Sequence, residues 1–254
     1  MVSLNKRAFK VIKRYFSSRV FGLKFIRASK WDLPQRIKFK NKSYTIKAHN
    51  GHDSGTKDAF LDIFIDDEYN LKNTMKLCSI NKIVDVGAHC GFFSLYAKLL
   101  FPNALVHCYE PNSELHDYII HHSRQVNFQL FPEAVGSQDG FVILDKFDKT
   151  ILTKTIQSEN GEIILTSLKK IIERIGGEID LLKLDCEGAE WDIFEDKKSF
   201  EKIKILTMEF HLTDSQTIDY LKNKLSTLNF EIISLKLTGP SWGILYATNK
   251  FYFN

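Results

Sequence analysis

A glycine turn after a buried strand is the first segment whose residues could bind a ligand. An apolar run at 83–86 leads into Gly87 and Gly91, and an amphipathic stretch begins at Phe92. Glycines here let the backbone approach a ligand at the carboxyl edge of a sheet, where open α/β folds bind ligands. A tight turn without a ligand is the alternative. The predicted contacts are Asp85, Gly87, Ala88, His89 and Gly91.

The spacing of this turn separates two classes of ligand. A dinucleotide fingerprint reads G-x-G-x-x-G and wraps a pyrophosphate, whereas this turn reads D-x-G-x-x-x-G. Asp85 at the strand end would repel phosphate but would attract an ammonium group. We therefore expect a nucleoside that carries an amino-acid end.

Two further acids follow the next two predicted strands. Glu110 ends the second strand, about 20 residues beyond the glycines, where a carboxylate can accept hydrogen bonds from both ribose hydroxyls. Glu133 and Ala134 follow the third strand and would bring a loop to the adenine. For Glu133, an ordinary loop acid is an equal alternative.

The strand predicted at 181–184 carries acids into the start of a helix. Alternation along the strand puts Lys183 and Asp185 on one side. We expect Asp185 at the strand tip beside the reacting group, with Glu187 one turn further out. Acids at a helix N-terminus can also be plain caps, which is the role we expect for Glu190.

The strand predicted at 203–208 leads into Glu209 and His211, which share a face at the ligand-binding edge. Histidine is suited to removing a hydroxyl proton near neutral pH, so His211 is a candidate base. A divalent cation such as Mg²⁺, bound by the same acids, is the alternative. The candidate catalytic or metal-binding residues are Asp185, Glu187, Glu209 and His211. The spacing of these residues does not decide between a catalytic and a metal-binding role.

Short apolar runs alternate with amphipathic stretches from residue 80 onward, which is typical of βαβ units and a parallel sheet. We predict strands at 83–86, 105–109, 128–131, 181–184 and 203–208, and helices at 92–100, 113–122, 189–194 and 215–228. Runs at 231–237 and 244–248 predict an antiparallel closing pair, and runs at 37–40 and 44–47 predict a hairpin. We expect residues 1–70 to form a cap and residues 71–254 the catalytic domain.

The N-terminal arm is basic, because every charged residue before Asp32 is Lys or Arg. Its apolar residues recur at three- and four-residue steps, which predicts an amphipathic helix. They are Phe9, Ile12, Phe16, Val20 and Leu23. Residues 1–30 could lie on an anionic membrane or bind an acidic partner. The simpler interpretation is a helix packed on its own domain or on a dimer mate, with a solvated basic face.

Bulk properties exclude several classes of protein. The hydrophobic fraction of 44% and the charged fraction of 26% are typical of a globular domain. No apolar run approaches the roughly 18 residues of a membrane-spanning helix, and a signal peptide is not recognisable, so a cytoplasmic location is expected. The cysteines lack CxxC spacing and are expected to be free thiols: Cys78, Cys90, Cys108 and Cys186. Basic charge confined to one arm argues against nucleic acid as a partner.

Four ordered motifs resemble the FkbM-type methyltransferases, from about Lys57 to the last strand. They are DVGAHCGFFS, YEP, DLLKLDCEGAEWDIFED and MEFH. The acidic stretch from Asp58 to Tyr69 also resembles the segment with which the family's domain begins. The sequence departs from the family at His89, where Asn is frequent, and the basic arm before Trp31 has no counterpart.

The resemblance implies a class I methyltransferase fold, which is Rossmann-like and α/β. Its seven-stranded, mostly parallel sheet has an antiparallel C-terminal strand and helices on both faces. It also implies S-adenosylmethionine as donor and a hydroxyl as acceptor, frequently on a sugar in a polysaccharide, a nucleotide-sugar precursor or a glycosylated metabolite. By position, Asp85, Gly87 and Gly91 would line the methionine end, Glu110 would bind the ribose, and Asp185 would face the sulfonium.

The reaction expected from these residues is in-line methyl transfer to a hydroxyl, an O-methyltransferase reaction. His211 or one of the carboxylates would take the proton, and alignment of the reactants would supply most of the acceleration. Two other functions stay open at this point: a nucleotide-sugar or NAD-dependent oxidoreductase, and a non-catalytic partner protein that keeps the fold.

Overall fold

The computed structural model of the chain describes residues 2–25, 31–48, 54–145, 154–157, 161–213 and 215–253. The strands are β1 Arg36–Phe39, β2 Lys42–Thr45, β3 Lys82–Val86, β4 Leu105–Tyr109, β5 Gln129–Phe131, β6 Ala134–Gly136, β7 Gly140–Asp145, β8 Lys154–Gln157, β9 Ile163–Ser167, β10 Ile179–Leu184, β11 Ile203–His211, β12 Phe230–Leu237 and β13 Trp242–Asn249. The α-helices are α1 Val2–Arg19, α2 Ser54–Phe60, α3 Leu71–Leu77, α4 Phe92–Leu100, α5 His116–Val126, α6 Leu168–Arg174, α7 Glu190–Ile193, α8 Lys197–Phe200 and α9 Ile218–Thr227. A π-helix spans Leu61–Asp66, and a 3₁₀-helix spans Ser113–Leu115.

A seven-stranded sheet with the order β12-β13-β11-β10-β3-β4-β5 forms the centre of the fold. Neighbours from β11 to β5 pair in parallel, whereas β13 is antiparallel to both β11 and β12. The chain runs from β3 outward to β5 and then returns to β10 on the other side of β3, so the topological switch point lies between β3 and β10. This is the class I methyltransferase fold that the resemblance implied.

Two hydrophobic clusters cover the two faces of this sheet. Phe92 and Tyr96 of α4 belong to one cluster, and Leu168 of α6 and Leu221 of α9 belong to the other. Because both faces are covered, β10 is buried at all six positions, including Asp180 and Lys183. The prediction of helices on both faces is confirmed.

The main helices begin where the local sequence supplies a turn or a cap. α4 follows Gly91, whose φ of +77° is the left-handed conformation that glycine adopts without strain. Ser167 caps α6 by accepting a hydrogen bond from the Lys170 N–H, and Thr217 caps α9 by accepting one from the Tyr220 N–H. The predicted hairpin is also present as β1 and β2, joined at Lys40 and Asn41.

A second sheet, with the order β6-β9-β7-β8, lies between β5 and α6 in the chain and was not predicted. Its strands are short, and its outer side chains include the half-exposed Phe141, Ile143 and Ile164. Its strands contain short apolar runs at 141–144 and 163–165, but a run of that length does not by itself identify a strand. Residues 146–153 and 158–160 fall outside the described part of the chain.

The N-terminal segment packs on α4. Phe21 contacts Phe64 and Tyr96, with ring centroids 5.4 Å and 5.8 Å apart, and all three side chains are buried. The helix α1 is present as predicted, but most of its apolar face does not pack on its own domain, and packing on a dimer mate stays a prediction. Phe9 and Phe16 are exposed, and among the side chains of α1 that the structure describes, those of Arg14 and Ser18 are buried. The proposed division of the chain at residue 70 stays a prediction.

Among the described helices, none is both long enough and apolar enough to cross a bilayer. The four cysteines are free thiols, as predicted.

Candidate active site

The carboxyl ends of β3, β4, β10 and β11 surround a cavity of about 280 Å³. One part is lined by backbone and side chains of 86–90, 109–111 and 133–135. The other part is lined by residues 58, 59, 62 and 63, by Glu68 and Tyr69, and by Thr238, Trp242 and Ile244 of the C-terminal hairpin. Nothing in the sequence predicted the hairpin's contribution. The antiparallel register, which pairs Trp242 with His211, brings the turn to this edge of the sheet.

The glycine turn after β3 can hold only glycine at its first position. Gly87 has φ of +73°, and a Cβ there would lie 1.7 Å from the carbonyl oxygen of Asp185. Its N–H donates to the Tyr109 carbonyl at 3.0 Å, and the Ala88 N–H donates to the same oxygen at 3.1 Å. Gly87, Ala88 and His89 line the cavity, whereas Gly91 does not and serves the helix start instead.

Asp85 lies beneath the cavity rather than in its wall. The side chain is completely buried, accepts a hydrogen bond from Ser94 Oγ at 2.7 Å, and has its other oxygen 3.2 Å from Lys183 Nζ. The expectation that Asp85 touches the methionine end of the donor therefore does not fit this geometry. Its carboxylate stabilises the ammonium of Lys183, which does line the cavity.

Glu110 is buried at the cavity wall, a position that suits the predicted role of binding a ribose. One carboxylate oxygen accepts the His89 N–H at 2.8 Å and the other accepts the Asn112 N–H at 2.9 Å. Burial raises the pKa of Glu110 to about 7, against the opposing effect of these two N–H groups. Each oxygen keeps a further lone pair, so the carboxylate can also accept hydrogen bonds from a diol.

The side chain of Glu133 is engaged elsewhere. Arg174 donates to both of its oxygens, at 2.8 Å and 3.1 Å, and Thr166 Oγ1 donates to one of them at 2.5 Å. The loop-acid alternative fits this carboxylate better than recognition of adenine does. Ala134 and Val135, which also line the cavity, remain available through their backbone.

Lys183 and Tyr69 form an ion and hydrogen-bond group with Asp185. Lys183 Nζ lies 3.4 Å from Asp185 Oδ2 and donates to the Gly87 carbonyl at 2.6 Å. Burial lowers the pKa of Lys183, but Asp85 and Asp185 together raise it above its usual value, so the amine is charged. Tyr69 Oη donates to Asp185 Oδ2 at 2.9 Å, and burial together with Asp185 keeps this phenol protonated by raising its pKa.

Neither Lys183 nor Tyr69 was predicted to be a site residue. Lys183 could have been predicted, because alternation along the strand puts it on the same side as Asp185. Tyr69 comes from a segment 116 positions away from Asp185 in the chain, and only the fold brings the two together.

His211 stands behind the cavity among three acids. Its Nε2 lies 3.5 Å from Glu187 and 3.6 Å from Glu209, and its Nδ1 lies 3.7 Å from Glu190. Burial lowers the pKa of His211, but Glu190, Glu187 and Glu209 outweigh this effect and raise it to about 9. An imidazole that is protonated at neutral pH is a poor base, so these surroundings disfavour His211 as the acceptor of the hydroxyl proton, and its role stays a prediction.

Glu209 and Glu187 do line the cavity, in front of His211. Burial is the main cause that raises the pKa of Glu209, to about 8, with a further contribution from Asp185. Glu190 is completely buried and accepts the Cys186 N–H at 3.0 Å, which matches the structural role expected for it.

The predicted metal-binding quartet does not converge as a ligand set. Among the described residues, the acids whose ligand atoms lie within 4.8 Å of one another are Asp62, Asp66 and Glu68. All three are in ion pairs: Asp62 with Arg14 at 3.3 Å, Asp66 with Arg14 at 2.6 Å and Glu68 with Lys236 at 2.5 Å. Neither group supports a role for a metal in this site.

Solved structures similar to this chain include methyltransferases that act on different substrates. The magnesium protoporphyrin IX methyltransferase ChlM from Synechocystis PCC 6803 is 11% identical, with a TM-score of 0.47 over 80% of this chain and 87% of that one. TrmK of M. capricolum, solved with S-adenosylhomocysteine, is 15% identical, with a TM-score of 0.43 over 71% of this chain and 67% of that one.

A curated relative is the AMB antimetabolite synthetase AmbE of Pseudomonas aeruginosa, 26% identical over 203 residues. The matched part covers 61% of this chain but 10% of AmbE. The chain thus spans about a tenth of the length of this relative.

The family model of the methyltransferase FkbM domain matches residues 85–232, which include the glycine turn, Glu110, Asp185 and Glu209. This match favours methyl transfer over the oxidoreductase alternative, as does the D-x-G-x-x-x-G spacing of the turn. With its sheet order and its cavity at the switch point, the chain belongs to the FkbM methyltransferase domain family.

Proposed function

We propose that this chain is an S-adenosylmethionine-dependent O-methyltransferase whose acceptor is a hydroxyl of a sugar. The observation that carries the proposal is the carboxylate of Glu209. It lines the cavity at the end of β11, next to the strand that bears Asp185, and its raised pKa of about 8 suits removal of a hydroxyl proton.

The residues of the first part of the cavity fit the donor. Gly87 brings its backbone to the cavity wall, and Glu110 offers a carboxylate to a ribose diol. S-adenosylmethionine, when bound, supplies an electrophilic methyl group on a positively charged sulfur. The carboxylates of Asp185 and Glu209 would stabilise that positive charge. Tyr69 and Lys183 would hold Asp185 in one orientation.

The proton from the acceptor hydroxyl would pass to Glu209. Asp185 is the weaker candidate, because its Oδ2 already accepts from Tyr69 and lies near the Lys183 ammonium. His211 would act through Glu209 as a positioning residue, because its imidazolium stabilises the ionised carboxylate. Alignment of the two reactants at about 3 to 3.5 Å would supply much of the rate acceleration.

Charge at the cavity favours an unphosphorylated sugar among the acceptors considered. Carboxylates line the second part of the cavity, and Lys183, the lysine among its lining residues, is already paired with two acids. A phosphate or a pyrophosphate would be repelled there. The acidic residues that line the cavity as a whole are Asp58, Asp62, Glu68, Glu110, Glu133, Asp185, Glu187 and Glu209. A glycan or glycosylated metabolite therefore fits better than a nucleotide sugar.

The test compares cells that lack this protein with cells that carry it, by mass spectrometry of glycans and of free nucleotide sugars. We expect the deletion to remove one O-methyl group from a glycan or glycosylated metabolite. The wild-type chain should restore this group, Glu209→Gln should not, and Glu201→Gln, an exposed control, should.

Purified Glu209→Gln should keep its affinity for S-adenosylhomocysteine in calorimetry, which separates loss of proton transfer from loss of the fold. Full restoration by Glu209→Gln would remove Glu209 as the base. Loss of an N-methyl or C-methyl group would overturn the proposed O-methylation, and a methyl group lost from a nucleotide sugar would overturn the choice of acceptor.

A further inference from the structure

The helix α1 presents an apolar face to solvent. Phe9 is 70% exposed, Phe16 67% and Ile12 55%, and Val20, just beyond the helix, is 55% exposed. Spacings of three, four and seven residues put these side chains on one side of the helix. Soluble proteins bury most large aromatic side chains, and a contiguous exposed patch of this kind marks an interaction surface.

The opposite side of α1 attaches the helix to the body. Arg14 donates to Asp66 at 2.6 Å and lies 3.3 Å from Asp62, and both Arg14 and Ser18 are buried. Lys10 adds a second ion pair to Asp66 at 3.2 Å. Because the attachments are polar and lie on this side, the apolar face is turned outward.

The charged residues of the N-terminal arm itself have one sign. The sequence has nine Lys and Arg residues before Asp32 and no Asp or Glu among them. Lys13 and Arg19 are exposed and lie three or four positions from Phe9 or Phe16, so they flank the apolar face. The surface thus combines exposed aromatic rings with cationic side chains.

We propose that α1 binds an anionic membrane surface. Phe9, Ile12 and Phe16 would enter the boundary between headgroups and acyl chains, and Lys13 and Arg19 would contact lipid phosphates. A second copy of this chain is a poorer occupant, because pairing two such faces would bring like charges together at the rim. The proposal is independent of the reaction that the cavity performs.

This contact would lie close to the cavity. Asp66, the partner of Arg14, ends the π-helix Leu61–Asp66, and Asp62 and Ile63 of the same helix line the cavity. One segment therefore connects the proposed membrane surface with the acceptor side of the site.

The test is co-sedimentation of the full chain with phospholipid vesicles. One set contains phosphatidylcholine alone, and the other contains roughly one-third phosphatidylglycerol. We expect binding to the anionic vesicles, weakened by added salt, and little binding to the neutral ones. The double variant Phe9→Ser/Phe16→Ser should bind roughly tenfold more weakly or worse, since two large apolar side chains are lost from the contact.

A matched control keeps the test specific. Phe141→Ser/Phe251→Ser removes two phenylalanines that are 51% and 71% exposed elsewhere on the surface, and it should bind as the wild type does. Absence of binding to the anionic vesicles, or equal binding by the Phe9/Phe16 variant, would overturn the proposal. A dimer in solution that this variant dissociates, without vesicle binding, would assign the face to a second copy and would also overturn it.

Discussion

At the scale of single residues, the charged groups of the site shift one another's pKa values. Glu209 Oε1 lies 3.6 Å from His211 Nε2. Burial raises the pKa of Glu209 to about 8, and three carboxylates raise the pKa of His211 to about 9. The pair therefore holds a cation behind a carboxylate that changes protonation near neutral pH. This arrangement favours the acid over the histidine as the proposed base.

A pH profile of the reaction follows from this pair. A base must be ionised to act, so turnover should rise with pH, by about tenfold per unit below the pKa, and level off above about 8. His211→Asn should move the midpoint to higher pH, because the imidazolium lowers the pKa of Glu209. The measurement is the initial rate of S-adenosylhomocysteine release with saturating donor. An unchanged midpoint in His211→Asn would contradict the coupling.

Lys183 should contribute to the stability of the fold as well as to the site. Its ammonium is buried between Asp85 and Asp185, and Asp85 is completely buried. Lys183→Met would leave Asp85 as an uncompensated charge, at a cost of about 3–5 kcal/mol in the free energy of unfolding. Urea denaturation followed by circular dichroism measures this loss.

The exposed Lys202→Met serves as the control for this substitution and should change stability by less than about 0.5 kcal/mol. Adding Asp85→Asn to Lys183→Met should recover part of the loss, because the buried charge is removed. If the double variant is no more stable than the single one, the charge of Asp85 is not the cause.

At the scale of elements, the π-helix Leu61–Asp66 connects three parts of the molecule. Its Phe64 packs on Tyr96 of α4, its Asp62 and Ile63 line the cavity, and its Asp66 holds α1. A segment with these three contacts fixes the acceptor side of the cavity relative to the sheet.

Loss of the ion pair between Arg14 of α1 and Asp66 should lower the free energy of unfolding by a measurable amount. Arg14→Met leaves the Asp66 side chain, which is 7% exposed, with the half-exposed Lys10 as its basic partner among the described side chains, so the free energy of unfolding should fall by about 1–3 kcal/mol. Arg19→Met, which removes an exposed side chain that donates to Tyr15 Oη, should change it by less than about 0.5 kcal/mol. Denaturant unfolding of both variants decides the prediction, and equal stabilities would refute it.

At the scale of the whole molecule, the N-terminal segment shares one hydrophobic cluster with the central sheet. The cluster includes Phe21, Phe39 and Phe60 upstream of residue 70 together with Phe92 and Tyr96 of α4. We therefore expect the two predicted parts of the chain to unfold together.

Phe21→Ala tests this expectation. The ring is 1% exposed and contacts three other aromatic rings, so its removal should cost about 3–5 kcal/mol and lower the midpoint of one cooperative transition. Phe251→Ala, 71% exposed, should leave the midpoint nearly unchanged. Two separate transitions, of which only one responds to Phe21→Ala, would show that the cap folds independently.

Apolar runs in the sequence predicted the central sheet, the helices α4, α5, α7 and α9, and the residues at the strand ends, whereas α6 was not predicted. Strands buried on both faces read as largely apolar runs, and the carboxyl ends of parallel strands meet at one edge. For that reason Gly87, Glu110, Asp185 and Glu209 could be expected at one site before the structure was known. The four-stranded sheet was not predicted, although it contains short apolar runs at 141–144 and 163–165, because a run of that length does not by itself identify a strand.

Only the tertiary structure decided which of these residues face the cavity and which support them. Asp85 lies beneath Lys183, Glu133 is held by Arg174, and His211 is kept cationic behind Glu209. Tyr69 and the C-terminal hairpin reach the same cavity from distant parts of the chain. Burial and charge partners set protonation, and both depend on contacts across the chain that local sequence does not encode.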